Sequence, residues 1–187
     1  HLLLITVTVL TGMLTGITAS AQSATSTVFA TGLRAPIKII NSPKGNLLVA
    51  ESGNGPNTGR ISILDLSGNR RTLLDGLPSG FAPPEGGPSG PSGLAFRGRT
   101  LFVVIGGGGG TIVGPVPGTE APNPNPPSPF VSAVLSVRLS PEAEETTQGF
   151  TMTFADQLAL QNQGFLKLTD AVGNQLIVEV VTNFPNF

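Results

Sequence analysis

The stretch GNLLVAESGNGPNTGRISILDLSGNRRTLLDGL, from Gly45 to Leu77, carries the strongest indication of the fold class. It contains three short apolar runs, each bounded by turn-forming residues. Runs of about four to eight residues with such boundaries are typical of β-strands rather than helices. The segment SGNR (Ser67–Arg70) favours a tight hairpin, because Gly and Asn adopt positive φ at little cost. We therefore predict antiparallel strands joined by short turns.

Two phrases of this stretch recur elsewhere in the chain. TLLDGL (Thr72–Leu77) resembles VFATGL (Val28–Leu33), and GNLLVAESG resembles GRTLFVVIGG (Gly98–Gly107) when Leu47 is placed on Leu101. Weaker copies are FADQL at Phe154–Leu158 and LKLTDAVGNQL at Leu166–Leu176. Repeating units of about 40 to 50 residues with four strands each are the signature of propeller blades.

The repeats predict an all-β fold, a partial β-propeller with four-stranded antiparallel blades. Residues 22–187 would form its N-terminal part, about two and a half to three blades of about six, as an open arc. The strands predicted for the first blade are Pro36–Asn41, Asn46–Glu51, Arg60–Leu66 and Arg70–Gly76. Those predicted for the second blade are Ser92–Arg97, Thr100–Ile105, Val131–Leu139 and Phe150–Ala155. The third blade would contain Phe165–Asp170 and Gln175–Val181. Uncovered blade faces and edges favour self-association of the chain.

Three further segments carry local predictions. Val28–Thr31 is expected to be an outer strand of the last blade, loosely held in the absence of that blade. The proline-rich Gly114–Pro129, inside the long loop 106–130, is expected to have no regular structure. SPEAEE (Ser140–Glu145) favours a brief helix, with Ser140 as the N-cap and Pro141 at the first position.

The N-terminal residues differ from the rest of the chain. LLLITVTVLTGMLTGI (Leu2–Ile17) has no charge and is followed by ASAQS. An apolar core followed by Ala-x-Ala predicts a signal peptide over residues 1–21, with cleavage after Ala21. A short membrane anchor is the alternative, although threonines and glycines suit a span of about 20 apolar residues poorly. We expect a secreted or periplasmic protein with no membrane association after signal removal.

Charge and composition exclude several classes of function. The net charge is −1, from 10 Lys and Arg against 11 Asp and Glu, which gives no electrostatic footprint for nucleic acid. The absence of Cys excludes disulfides and thiolate catalysis. The one histidine, His1, lies in the predicted signal peptide, so residues 22–187 hold no histidine base or Ser-His-Asp triad. The run IGGGGG (Ile105–Gly110) is not a P-loop, because no Lys-Ser/Thr follows.

The phrases VFATGLRAPIKIINSPKGNLLVAESG, GPSGLAF…TLFVVIGGGG and DAVGNQLIVEV together resemble the ScyD/ScyE family. That resemblance covers Thr27–Phe187 and implies a secreted, six-bladed, NHL-like β-propeller. It implies fold and export more than a reaction. The chain departs from the family pattern between Gln161 and Phe165, where the inner strand of the third blade is missing.

In such a propeller the loops after second and fourth strands share one face. Those loops are Ser52–Gly59, Leu77–Pro91 and Gly106–Phe130, so the long Gly/Pro-rich segments are expected to gather on one rim. Binding residues are commonly carried on loops held by a rigid scaffold. An unknown ligand or protein partner is therefore expected at this rim.

Two carboxylates are the candidate site residues at this rim. Glu51 and Asp170 end strands predicted to be equivalent, with Asn54 and Asn174 close by in sequence. In related lactonase propellers, rim carboxylates and asparagines bind a divalent cation, which suggests Glu51 and Asp170 as metal ligands, with Ca²⁺ as the ion. The alternative is that these side chains cap turns by accepting backbone N–H bonds. Ile105 interrupts the acidic ring in the second blade.

Three functional hypotheses remain open at this point. The first is a non-catalytic exported propeller that serves as a binding or assembly scaffold. The second is a metal-dependent lactonase- or lyase-like enzyme that uses the rim carboxylates. The third is a sugar dehydrogenase, whose opening phrase is similar but whose histidine base is missing from residues 22–187. Fold alone does not decide between them.

Overall fold

The structure, a computed structural model, describes residues 26–83 and 86–184. The predicted signal peptide, residues 1–21, lies outside the described residues. Within them the chain is mostly β-strand, with a single α-helix and a short 3-10 helix, and most strand pairs are antiparallel. Neither helix of this described part is long and apolar enough to cross a membrane. The all-β class predicted from the short apolar runs is confirmed.

The first half of the chain forms an antiparallel meander, the body of sheet 1. Its four strands closely match those predicted for the first blade: β1 (Pro36–Asn41), β2 (Leu47–Glu51), β3 (Gly59–Leu64) and β4 (Arg70–Leu77). The alternation of Ile61 and Ile63 with Ser62 places the isoleucines on the face that joins the core. The turn Asp65–Asn69 closes the hairpin between β3 and β4, as the SGNR segment predicted.

The rest of the chain adds ten strands and the helices. In chain order the strands are β5 (Gly80–Ala82), β6 (Gly87–Ser89), β7 (Pro91–Arg97), β8 (Thr100–Ile105), β9 (Thr111–Val113), β10 (Glu120–Pro122), β11 (Ala133–Leu139), β12 (Phe150–Thr151), β13 (Phe165–Thr169) and β14 (Gln175–Asn183). The 3-10 helix covers Ala143–Glu145, and helix α1 covers Phe154–Gln163. The brief helix predicted from SPEAEE is thus present, but it begins later than predicted, with Glu142 rather than Ser140 at the N-cap. Gly114–Pro129 is not wholly irregular, because it contains β10, which pairs with β9.

Sheet 2 has the strand order β13-β14-β11-β8-β7 and is antiparallel throughout. Strands β7, β8 and β11 match the first three strands predicted for the second blade, but the predicted fourth strand, Phe150–Ala155, is wrong. Phe150 and Thr151 instead pair in parallel with β4 of sheet 1, and α1 begins at Phe154. The helix begins there because Thr153 and Asp156 form a reciprocal capping box.

The position next to β11 in sheet 2, where the fourth strand of the second blade was predicted, is taken by β14. It pairs with β11 along seven registered positions, for example Val137 opposite Val178, and β13 pairs with its other edge. The described residues therefore form two five-stranded sheets and two small two-stranded sheets, β5-β6 and β9-β10, and the expected third blade is not present as a separate sheet. The physical reason is that β11 has an open edge once the chain leaves for sheet 1, and β14 satisfies its backbone groups.

The two sheets pack face to face, with β7 of sheet 2 in contact with β1, β2 and β3 of sheet 1. A single apolar core lies between them, and residues such as Leu48, Ile61 and Leu135 are fully buried in it. The backbones come close at one point, where a Cβ added to Gly59 would lie 2.5 Å from the Pro91 ring. The stacked meanders and their common core hold the loops at the ends of the strands in place.

The segment Ser26–Arg34, which we call the strap, crosses the outer face of sheet 1. Its Phe29 carbonyl oxygen lies against Gly68, where no Cβ would fit, and Arg60 Nη2 donates to the Gly32 carbonyl at 3.0 Å. The strap forms no strand, so the predicted outer strand Val28–Thr31 is not observed. Val28 is nevertheless 81% exposed. The strap is held to sheet 1 by its bonds to Glu51 and Arg60 and by the contact with Gly68.

Candidate functional site

The three Gly/Pro-rich loops meet at one end of the sheet pair, as expected from the strand order. The Asn57 N–H donates to the Ser79 carbonyl at 3.1 Å, and Asn57 Nδ2 donates to the Pro127 carbonyl at 2.7 Å. The Gly109 N–H donates to the Phe81 carbonyl at 3.0 Å. These bonds connect the loop after β2 with the loops after β4 and β8. We call this surface the rim.

The Ser79 hydroxyl ties together three backbone groups of the rim. It accepts from the N–H groups of Thr58 at 2.8 Å and Gly59 at 2.9 Å, and donates to the Gly55 carbonyl at 2.7 Å. The residue is 1% exposed. A buried hydroxyl with this many partners fixes the backbone around it, because an unpaired buried N–H is costly. The loop Ser52–Gly59 is therefore rigidly attached to the β4–β5 connection.

The glycine run packs closely against the neighbouring loops. Gly106 donates to the Gly90 carbonyl at 2.8 Å, and a Cβ there would lie 2.6 Å from Ser89 Oγ. A Cβ on Gly108 would collide with the Ser89 carbonyl oxygen. These close approaches explain why the run is glycine, and they make a backbone scaffold of it rather than a phosphate loop.

Glu51, one of the two predicted metal ligands, is fully buried and already has partners. Arg60 donates to it twice, from Nε to Oε1 at 3.1 Å and from Nη2 to Oε2 at 2.6 Å. The Ser62 hydroxyl and the Arg34 N–H also donate to this carboxylate. Four donors on one carboxylate satisfy its acceptor capacity, so in this arrangement Glu51 holds β2, β3 and the strap together.

Glu51, Arg60 and Ser62 form a polar stripe under the strap, and this stripe continues to β4. Arg70 Nη1 donates to the Ser62 hydroxyl at 3.2 Å, and the stripe crosses the outer face of sheet 1 from β2 to β4. Burial, and next the neighbouring Arg60 guanidinium, lower the pKa of Arg70 below its ordinary value. The stripe is a structural ion-pair network that sets the path of the strap.

Asp170, the other predicted metal ligand, caps a tight turn. Its carboxylate accepts from the Val172 N–H at 3.0 Å, the Asn174 N–H at 2.9 Å and Asn174 Nδ2 at 2.9 Å. Partial desolvation raises the pKa of Asp170, but hydrogen bonds from Asn174, Thr146 and Val172 outweigh it and hold the pKa below its ordinary value. This is the turn-cap alternative rather than a ligand set directed at an ion.

The same turn is present in sheet 1. Asp65 accepts from the Ser67 N–H at 2.8 Å, the Asn69 N–H at 2.9 Å and Asn69 Nδ2 at 2.8 Å. Hydrogen bonds from Asn69, first from its side chain, lower the pKa of Asp65. The segments DLSGN and DAVGN are therefore copies of one hairpin turn, which explains why Asp170 resembled a recurring site residue.

Glu51 and Asp170 do not share a site. Glu51 lies at the C-terminal end of β2, at the rim, whereas Asp170 lies next to the Ser140 segment, whose N–H donates to Gln175. The 3-10 helix that follows Ser140 contacts the other end of β2, since Ser42 and Asn46 both donate to Glu144. The two carboxylates thus lie at opposite ends of the strands.

The two asparagines follow the same division. Asn54 is exposed on the rim, and its N–H donates to Thr58 Oγ1 at 2.9 Å. Asn174 belongs to the turn of Asp170 at the far end. Within residues 26–83 and 86–184, no three His, Asp or Glu side chains come close enough to hold a metal ion. Of the four predicted residues, the rim therefore contains Glu51 and Asn54.

One polar contact at the rim was not found from the sequence. Gln157 of α1 is fully buried and donates from Nε2 to Asn57 Oδ1 at 3.2 Å and to the Gly76 carbonyl at 3.0 Å. Its Oε1 has no hydrogen-bond partner. A groove of about 300 Å³ lies beside these groups, lined by Arg34, Asp75 and Phe154 among others. The sequence signal that could have located Gln157 was the capping box of Thr153 and Asp156, which predicts the helix that carries it.

The rim offers backbone amides, Asn and Gln side chains and a weakly paired Arg34–Asp75 couple at 3.9 Å. Such groups suit recognition by hydrogen bonding rather than proton transfer or nucleophilic attack. In comparisons with known proteins, no protein-family model matches the chain, and no curated protein or solved structure matches it significantly.

Proposed function

We propose that the protein is an exported β-propeller of the ScyD/ScyE type that acts as a non-catalytic binding or assembly scaffold. The two stacked antiparallel meanders, β1-β2-β3-β4 and β7-β8-β11-β14, are in this view consecutive blades. Adjacent blades of a propeller cover each other in the same face-to-face manner. The loops at the rim then form the surface that contacts a ligand or a protein partner.

The single observation that carries this proposal is the way the rim is built. Three loops from both meanders are fixed to each other by backbone bonds and by the buried Ser79 hydroxyl. Rigid loops lower the entropic cost of binding, because little order remains to be imposed. The Glu51 carboxylate at the rim is already paired with Arg60 and so serves the structure. Binding is therefore favoured over catalysis.

A direct assay distinguishes the non-catalytic scaffold from the metal-dependent lactonase-like enzyme. The secreted protein is incubated with a panel of simple lactones, with and without millimolar Ca²⁺, beside Glu51→Gln. If the protein is a scaffold, the lactones hydrolyse in every case at the rate measured in buffer without protein. Ca²⁺-dependent hydrolysis by the unchanged protein overturns the proposal and favours the lactonase-like enzyme; its loss in Glu51→Gln counts only where circular dichroism shows that the variant is folded. Electron microscopy of the same material tests the propeller itself, which predicts ring-shaped particles.

A further inference from the structure

A groove of about 300 Å³ opens at the rim between three separate parts of the chain. The end of the strap supplies Arg34, the end of β4 supplies Asp75 and Gly76, and the segment that leads from β12 into α1 supplies Thr151–Phe154. A volume of this size lies at the lower end of the range for small-molecule sites. The groove is therefore large enough for one small ligand.

The floor of the groove is held by backbone contacts around Gly76. This residue has a φ of +75°, and a Cβ there would collide with the Met152 carbonyl oxygen, so only glycine permits the approach of the two segments. The Met152 N–H donates to the Asp75 carbonyl at 2.9 Å, and Gln157 Nε2 donates to the Gly76 carbonyl at 3.0 Å. The shape of the groove is thus fixed before a ligand binds.

The backbone beside the groove is strained. Of the three non-glycine residues with positive φ in the described part of the chain, Ala35 (48°) follows Arg34, and Asn57 (52°) lines the groove. Asparagine adopts this conformation readily, whereas alanine does not. The Ser52 N–H donates to the Ala35 carbonyl at 3.0 Å, and the Gly53 N–H donates to the Arg34 carbonyl at 3.2 Å. Strain that is locked in this way is found mainly at functional sites such as ligand clamps.

Arg34 and Asp75 place opposite charges side by side on the wall of the groove. Arg34 Nη1 lies 3.9 Å from Asp75 Oδ2, and the two side chains are 41% and 35% exposed. This distance is too long for a hydrogen bond, so the guanidinium donors and this carboxylate oxygen are not used up by each other. An anion is opposed by Asp75 and a cation by Arg34. A neutral ligand with adjacent hydroxyl groups can accept from Arg34 and donate to Asp75 at the same time.

Phe154 gives the groove an aromatic surface. It is the first residue of α1, and it is 49% exposed. The flat face of an aromatic ring packs well against the C–H groups of a sugar ring. Thr151 is also exposed and adds a hydroxyl group at the same opening. An apolar platform with a few convergent polar groups is the usual composition of a small-molecule site.

A buried acceptor lies next to the floor. Gln157 Nε2 donates to Asn57 Oδ1 and to the Gly76 carbonyl, and both of these residues line the groove. Because both partners are acceptors, the orientation of the Gln157 amide is fixed, and its Oε1 has no hydrogen-bond partner among the described residues. An orphaned acceptor favours a ligand that carries hydroxyl donors over one that carries only acceptors, such as phosphate.

We propose that this groove binds a neutral saccharide, whose ring stacks on Phe154 and whose adjacent hydroxyl groups are shared between Arg34 and Asp75. The inference rests on the proposed function, in which the rim is a binding surface, and it names the chemical class of the ligand. Binding is reversible and involves no covalent step. Phe154 supplies the apolar contact, and the charged pair sets the orientation of the sugar.

Isothermal titration calorimetry of the purified protein tests the inference. The titrants are glucose, galactose, mannose, N-acetylglucosamine, maltose, cellobiose and lactose, with glycine and inorganic phosphate as charged comparisons. Phe154→Ala removes the aromatic surface, and Asp75→Asn removes the charge with little change of shape. The matched controls lie outside the groove: Phe165→Ala, at a phenylalanine that is 54% exposed, and Glu120→Gln, at an exposed carboxylate. Circular dichroism confirms that each variant is folded, and Asp75→Asn decides the test where Phe154→Ala is not.

We expect at least one of the sugars to bind, with an affinity that Phe154→Ala and Asp75→Asn each lower about tenfold or more. Both controls are expected to keep the affinity of the unchanged protein. The inference is overturned by the absence of binding for all of the sugars, by an affinity that a folded groove variant leaves unchanged, or by binding of glycine or phosphate in place of a sugar. If no sugar binds and no lactone is hydrolysed, only this inference fails. If lactones are hydrolysed while sugar binding is intact, the proposed function fails and the groove remains a sugar site.

Discussion

Arg60 bonds both carboxylate oxygens of Glu51, with Nη2 2.6 Å from Oε2 and Nε 3.1 Å from Oε1. The Glu51 side chain is fully buried and that of Arg60 is 4% exposed. Removing one partner of such a pair leaves an uncompensated charge in a dry site. The relationship therefore makes Glu51 a determinant of stability, whatever the rim binds.

We expect Glu51→Gln to destabilise the fold by about 3 kcal/mol or more, because the buried Arg60 charge loses its counter-ion. Urea unfolding followed by circular dichroism measures the loss. Glu120→Gln is the control, since Glu120 is exposed and forms a single hydrogen bond to Thr111. Equal stability of the two variants would show that the Glu51 pair does not hold the strap.

The glycine run gives a second prediction. Gly108→Ala is expected to cost about 1–3 kcal/mol, because the added methyl group would collide with the Ser89 carbonyl in a packed backbone contact. Gly55→Ala is the matched control in the neighbouring rim loop, where no atom lies within 4 Å of an added Cβ. Thermal unfolding compares the two. A Gly108→Ala melting temperature equal to that of Gly55→Ala would mean that the rim loops are loosely packed.

The start of α1 gives a third prediction. The Thr153 hydroxyl accepts from the Asp156 N–H at 3.1 Å, and the Asp156 carboxylate accepts from the Thr153 N–H at 2.8 Å. Thr153→Ala is expected to cost about 1 kcal/mol, the usual value for the loss of an N-cap. Urea unfolding measures it, with the exposed helix position Gln161→Ala as control. Identical midpoints would mean that packing of α1, and not its cap, fixes the helix.

The two turn aspartates predict a pH dependence. The pKa values of Asp65 and Asp170 are lowered in the folded chain, so their contribution to stability is fully present above the unfolded value of about 3.9. It is lost as the pH falls through the folded pKa values. The double variant Asp65→Asn, Asp170→Asn is therefore expected to be less stable than the unchanged chain at pH 7, and the difference is expected to shrink in acid. Urea midpoints across this range measure it; a constant difference would contradict the assignment.

Much of sheet 1 could be predicted because its information is local. β1 to β4 are short apolar runs separated by glycine turns, and each pairs with its sequence neighbour. Sheet 2 could not be predicted to the same extent, since the pairing of β11 with β14 depends on where the intervening chain goes. FADQL was interpreted as a strand copy by its likeness to TLLDGL, although Thr153, Asp156 and Gly164 already marked both ends of a helix.

The candidate site shows the same limit. The meeting of the rim loops followed from strand order, which the sequence pattern contained. The partners of Glu51 did not follow from its position at a strand end, yet one signal was present. In the hairpin of β2 and β3 the register places Arg60 directly opposite Glu51, so an ion pair was the nearer partner for this carboxylate. For Asp170, the matching DLSGN segment indicated a turn.

The short strand β12 has a consequence for the order of folding. The chain builds β11 in sheet 2, pairs β12 with β4 in sheet 1, and only then returns to place β14 beside β11. Neither sheet is complete until the other has formed, and the contacts involved join segments far apart in the sequence. Such contacts carry a large loop-closure entropy, which slows folding. The two sheets are therefore expected to fold late and together, and to unfold as a single cooperative unit.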